Sequence, residues 1–283
     1  MFINKSDPPP PEQCITSYST TTENFKLLIQ LCWLIPSAVF QAKVIYVMTL
    51  KNPEKFRKQS FFTIFLADCA TGFILTLFSI FFSRPLMFLP QFCTSISEFL
   101  TNHTLIMDIY YPFFRYIQAI QILLQTLLIT NRASCVLMPT KYAQFWKKWL
   151  KWAMISVGVF PSCWLWNLVI SDKAIRHAYG GIFISYNRWA KWARTSLFFA
   201  TLRAVSIVII IMSTVSTFWR MSKLKSKLME SERKLCFASV FMSICYTIPA
   251  IMEFRHFQIS STITPANIEY ALLIISWDIQ NVR

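Results

Sequence analysis

Six stretches of this chain are long and apolar enough to cross a lipid bilayer: Leu27–Leu50, Phe61–Phe82, Ile109–Thr130, Trp152–Ile170, Ser196–Trp219 and Leu235–Met252. A helix rises 1.5 Å per residue and needs about 20 apolar residues to span the hydrocarbon core. In lipid every backbone N–H and C=O must bond within the chain, so these stretches are expected to be helical despite their β-branched residues. Pro36, Pro161 and Pro249 fall inside three of them and predict kinks. Only 14% of residues are charged, against about 25% in a soluble domain, which leaves too little polar surface for a water-soluble globule.

A seventh segment is shorter. The apolar run Tyr270–Trp277 meets Asp278 at once, and extending it back to Ile263 takes in Pro265, Asn267 and Glu269. The expected fold class is therefore an all-α integral membrane protein, a seven-helix transmembrane bundle whose seventh helix is short or truncated. Residues 1–26 are expected to form an extracellular tail and 27–283 the bundle. Residues 1–25 are polar, contain the run Pro8–Pro11 and lack a charged start followed by an apolar core, so the first span is expected to act as its own insertion signal.

Orientation follows from charge. Lys and Arg number four, five and six in segments 51–60, 132–151 and 219–234, but one, one, five and one in 1–25, 83–108, 171–195 and 253–266. Basic residues collect on the cytoplasmic side, so the first set is expected there and the amino terminus outside. The two N-x-S/T sequons, at Asn4 and Asn102, fall on the outer side and are candidate glycosylation sites. Trp146, Trp149 and Trp152, then Trp189 and Trp192, then Trp219 cluster at span ends, where amphipathic rings favour the headgroup zone. Lys43 lies near the cytoplasmic end of the first span, from which it can snorkel.

The same bias accounts for the net charge of +15 without a nucleic-acid partner. Of the eight cysteines none forms a CxxC pair, so neither a metal site nor a cofactor is implied. His103, His177 and His256 lie in loops and no span holds two carboxylates, which argues against an enzyme. Cys14 and Cys93 are clear of the spans, and a disulfide between them is allowed by compartment but not required. The 171–195 loop has no cysteine, which excludes a bridge from the third helix to it.

The third span carries the chemistry. Tyr111, Arg115, Gln118, Gln121, Gln125 and Arg132 fall within about 160° of arc at 100° per residue. A charge at membrane depth costs at least about 2.5 kcal/mol on insertion scales, so Arg115 is expected to face the bundle interior or a watery cavity. Two readings stand: the stripe packs the bundle by hydrogen bonds, or Tyr111, Arg115 and Gln118 touch a small-molecule ligand. Glu253, at the outer end of the sixth span, is expected near the level of Arg115, as a salt-bridge partner or a shared ligand contact. Arg203 in the fifth span raises the same question, and Asp68 in the second is read as a hydrogen-bond hub or as an ion or protonation site.

At the other end of the third span stands Asn131-Arg132, with Pro139 and Tyr142 following. Here the sequence resembles the rhodopsin-like receptors, whose Asp-Arg-Tyr motif is followed by proline and tyrosine at the same offsets. That resemblance implies that Arg132 contacts a heterotrimeric G protein when the bundle opens. Asn131 stands where the acidic partner of the arginine would be and Ala133 where the tyrosine would be, so Arg132 is expected to be less firmly locked at rest. The loop Arg220–Lys234 carries six basic residues. Lys225, Lys227 and Arg233 among them are candidates for the same G-protein face, for anchoring to anionic lipid, or for both.

Three further stretches carry a closer resemblance: Asn131–Tyr142 with Trp146-Lys147-Lys148, Tyr179–Tyr186 with Trp192-Ala193, and Ser231–Cys236. In this order they resemble the nematode serpentine chemoreceptors of the gamma class. The resemblance implies a multi-pass receptor in the plasma membrane of sensory neurons that signals through a G protein. The carboxyl end departs from that pattern, and a truncated, non-signalling receptor is one alternative. A transporter or channel is the other, since buried Arg and Asp also line ion paths, although four glycines and no internal repeat give little sign of broken helices.

Overall fold

The structure is a computed structural model that describes Cys14 and residues 19–51, 53–57, 59–178, 181–187, 189–190 and 193–223. Five helices among these are long and apolar enough to cross a membrane. They are α1 (Thr20–Tyr46), α3 (Ser60–Phe78), α6 (Thr104–Leu137), α7 (Tyr142–Ile170) and α8 (Thr195–Lys223). Shorter helices α2 (Pro53–Arg57), α4 (Arg84–Phe88) and α5 (Cys93–Asn102) lie between them, and π-helical turns at Val47–Lys51 and Ser79–Ser83 extend α1 and α3. The expected spans Leu235–Met252 and 263–283, with Glu253, Lys225, Lys227, Arg233 and Asn4, lie outside the described residues.

The bundle is built around α6, which packs on α8, α3 and α7, while α1 packs on α3. Over half of the α6 window is buried, against a third or less of the other four. The polar pattern is the reverse of a soluble protein's. Trp33, Phe81, Val169 and Phe218 are among many large apolar side chains turned outward, while Gln41, Gln121, Gln125, Asn131, Asn167 and Arg203 are buried. A bilayer solvates the first group, and the second is kept away from lipid inside the bundle. Lys43 is exposed.

The helices outrun the apolar windows. The basic segment 132–151 is almost wholly helical, since α6 runs to Leu137 and α7 starts at Tyr142, and α1 starts inside the segment assigned to the tail. Hydropathy marks where a helix leaves hydrocarbon, whereas its end is set by backbone chemistry. Pro139 disfavours helical geometry at the residue before it, and Met138 accordingly leaves the helix at φ −131° and ψ 59°. Tyr142 N–H then donates to Met138 C=O at 2.9 Å, closing a turn that reverses the chain. Pro161 and Pro112 both sit inside helices and are buried. A proline removes an N–H from the helix ladder, and near Pro161 the Tyr116 hydroxyl donates to Gly158 C=O at 2.7 Å.

The segment 171–195, expected as an outer loop, contains a β-hairpin, β1 (Lys173–Ala178) against β2 (Gly181–Tyr186), in register from Lys173↔Tyr186 to Ala178↔Gly181. Gly181 lies so close to α4 that a Cβ there would strike the Leu86 and Met87 carbonyls. Asn167, buried at the end of α7, donates to Ala193 C=O at 3.0 Å and accepts from Ala190 N–H at 3.3 Å, which ties down the entry to α8.

Candidate functional site

Two clusters of candidate functional side chains lie at opposite ends of α6. Toward the amino-terminal end of α6, Tyr111 and Arg115 are one helical turn apart, and Gln118 follows on the same face. The Arg115 guanidinium donates to Gln118 Oε1 at 3.2 Å and reaches the Tyr111 hydroxyl at 3.5 Å. Its Cζ also lies 5.3 Å from the Tyr111 ring centroid and 5.7 Å from that of Phe199 on α8. Arg115 thus faces the α6–α8 boundary rather than lipid, where ring quadrupoles and amide dipoles offset part of its desolvation. One turn beyond Phe199 on α8, Arg203 is buried too.

The hairpin covers this cluster. The Tyr186 ring lies 6.1 Å from the Tyr111 ring, and Ile184 packs with Tyr111, Met107 and Leu168. The Tyr186 hydroxyl accepts the Thr195 N–H at 3.1 Å, capping α8, and Lys173 sits 3.5 Å from Asp108. Sequence periodicity brought Tyr111, Arg115 and Gln118 together, but not Tyr186 and Phe199. Those two are remote in sequence, and only tertiary contact joins them to α6. Asp68 is half-buried on α3, where its carbonyl accepts from Thr71 Oγ1 at 2.9 Å.

Toward the carboxyl end of α6, Asn131 is fully buried. Its Nδ2 donates to Ser60 Oγ at 3.1 Å, the Tyr142 hydroxyl donates to its Oδ1 at 2.9 Å, and Ser60 Oγ lies 2.9 Å from that hydroxyl. With Tyr142 already donating to Asn131, Ser60 is the donor of the third bond, so the three side chains close a ring in which each gives and takes one hydrogen bond. Beside the ring, Trp146 Nε1 donates to Ser134 Oγ at 2.7 Å, and Ser134 Oγ donates to Asn131 C=O at 2.7 Å. Trp146 is buried while Trp149 and Trp152 are exposed; of the three rings expected in the headgroup zone, Trp146 is a packing residue instead.

Arg132, next to Asn131, lies against α3. Its Cζ stands 4.2 Å from the centroid of Phe61, in range of a cation–π contact with that ring. Ser60 and Phe61 were not singled out in the sequence, since nothing local marks the start of α3 as the partner of a residue 71 positions away.

Cys14 and Cys93 are joined by a disulfide, with their Cα atoms 6.3 Å apart. It pins the amino-terminal segment to the start of α5. Asn102, the last residue of α5, is exposed at the same end.

Comparison with known proteins fits this arrangement. Residues 27–283 match the model of the Srg family of chemoreceptors. The chain is 49% identical to serpentine receptor class gamma-1 of Caenorhabditis elegans over 271 residues, which cover 95% of this chain and 94% of the relative. It is 39% identical to serpentine receptor class gamma-2 of the same organism (95% and 82% covered) and 35% to serpentine receptor class gamma-9 (95% and 80%). Long apolar helices, an inverted polar interior and a match across the whole bundle agree: this chain is a multi-pass membrane protein with the seven-helix receptor fold, and it belongs to the Srg family of serpentine chemoreceptors.

Proposed function

We propose that this chemoreceptor sits in the plasma membrane of sensory neurons, binds a small external ligand and signals through a heterotrimeric G protein. The observation that carries the proposal is the placement of both polar clusters on one helix. Arg115 and Arg132 are 17 residues apart on α6, or about 25 Å along the axis, so a shift of α6 acts on both ends. Tyr111, Arg115 and Gln118 are the proposed ligand contacts, with Glu253 of the sixth span as a fourth. Arg132 and Tyr142, with Lys225, Lys227 and Arg233, are the proposed coupling face, and Asn4 and Asn102 the proposed glycosylation sites.

The mechanism is a population shift. At rest Arg132 is seated on Phe61, and Tyr142 is held by Asn131 and Ser60. A ligand moves the balance only by binding the opened arrangement more tightly than the resting one. The opened arrangement is the one in which Arg132 leaves Phe61 and meets the G protein. Nucleotide exchange on a co-reconstituted G protein, stimulated by ligand-bearing extract and lost in Arg132→Ala, is the expected result. Solute flux into vesicles without any exchange would replace the receptor reading with that of a transporter.

A further inference from the structure

We propose that a cleft between α6, α7 and α8 at the basic end of the bundle binds an anionic glycerophospholipid of the adjoining leaflet. The cleft has a volume of about 560 Å³. Its walls include Phe145, Trp149 and Trp152 on α7 and Met212, Ser213 and Ser216 on α8. Phe145, Trp149, Trp152 and Met212 are 41%, 49%, 61% and 65% exposed, so among the described residues the cleft opens sideways, toward acyl chains rather than toward water.

The occupant's headgroup is set by the rim. Lys141 and Lys148, both exposed, flank the α7 wall, and exposed Arg220 lies one turn beyond Ser216 on the same side of α8. Cations therefore bracket the cleft from both walls at its basic end. No Asp or Glu occurs in α7 or α8, and the only one in α6, Asp108, lies at that helix's opposite end. An apolar trough whose mouth is cationic among the described residues, with serine hydroxyls between, matches a lipid with an acyl chain and an anionic head. A zwitterionic lipid gains the chain contacts but brings its own cation to the same mouth. Ser134 and Trp146, which are hydrogen-bonded to each other, form part of the cleft wall. The bound chain therefore touches the side chains that support Asn131.

The test uses the full chain in phosphatidylcholine vesicles doped with phosphatidylserine or phosphatidylcholine carrying brominated acyl chains, which quench nearby tryptophan. Subtracting the signal of Trp149→Phe/Trp152→Phe isolates the two exposed rings of the cleft, Trp146 being buried. The brominated phosphatidylserine is expected to quench them at a lower mole fraction than brominated phosphatidylcholine, with the advantage falling roughly fivefold per cation removed in Lys141→Gln, Lys148→Gln and Arg220→Gln. Ser213→Phe/Ser216→Phe, which narrows the cleft without adding a fluorophore and leaves the rim intact, is expected to abolish the excess quenching, so the result does not hang on one set of variants. Equal quenching by the two lipids, no quenching of these rings by either, or a preference that survives removal of all three cations overturns the proposal.

Discussion

The Tyr142 hydroxyl donates to the buried Asn131 amide oxygen at 2.9 Å, so the residue that stands in place of an acidic partner for Arg132 grips the start of the next helix. The turn set by Pro139 brings the two together, and Ser60 closes the ring. Tyr142→Phe is expected to cost about 1 kcal/mol of stability, and Asn131→Ala about 2 kcal/mol because it removes two of the ring's three bonds. Thermal unfolding of the detergent-purified protein reads both. The double variant should lose less than the sum, and strict additivity would contradict the ring.

Arg132 over Phe61 gives the second prediction. A cation–π contact away from bulk water contributes about 1–2 kcal/mol. Phe61→Leu keeps apolar bulk and removes the ring, so ligand-independent nucleotide exchange is expected to rise several-fold while expression holds. A well-folded variant with unchanged basal exchange would mean that Phe61 does not hold the resting state.

Gly181 and Gly158 form a contrasting pair. A methyl group on Gly181 meets the backbone carbonyls of Leu86 and Met87, which have no rotamer to move, whereas one on Gly158 meets nothing within 4 Å. Gly181→Ala is expected to lower the unfolding temperature markedly. Gly158→Ala is expected to be neutral or to stabilise by about 0.5–1 kcal/mol through helix propensity. The two melting curves, measured side by side, check the hairpin's docking on α4.

The Cys14–Cys93 bridge spans 79 residues and fastens the amino-terminal segment across the first two spans. Closing so long a loop contributes about 4 kcal/mol in the chain-entropy view. Cys14→Ser and Cys93→Ser should each lower the unfolding temperature, and equally, since either one breaks the bridge. Peptide mapping without reductant should find the two cysteine peptides linked. Recovering them separately, with free thiols, would contradict the bridge.

What the sequence reveals follows from the range of the interaction. The five described spans are legible because the bilayer demands long apolar runs, and the Tyr111–Arg115–Gln118 group because helical spacing alone places it on one face. The start of α7 at Tyr142 is not, because the Lys- and Trp-rich turns before Trp152 read as a loop on a transfer scale while their backbone continues the helix. The hairpin is hidden in a polar segment that resembles any connector. Phe61, Phe199 and Tyr186 complete the two clusters from distant parts of the chain, and an aromatic residue in an aromatic-rich span carries no mark that it faces an arginine.

A seven-span receptor with its amino terminus outside can be checked with a glycosylation acceptor fused after Arg283. The account predicts glycans at Asn4 and Asn102 and none on the fused acceptor, since a seventh crossing puts the carboxyl terminus in the cytoplasm. A glycan on the fused acceptor together with those at Asn4 and Asn102 would leave an even number of crossings and contradict it.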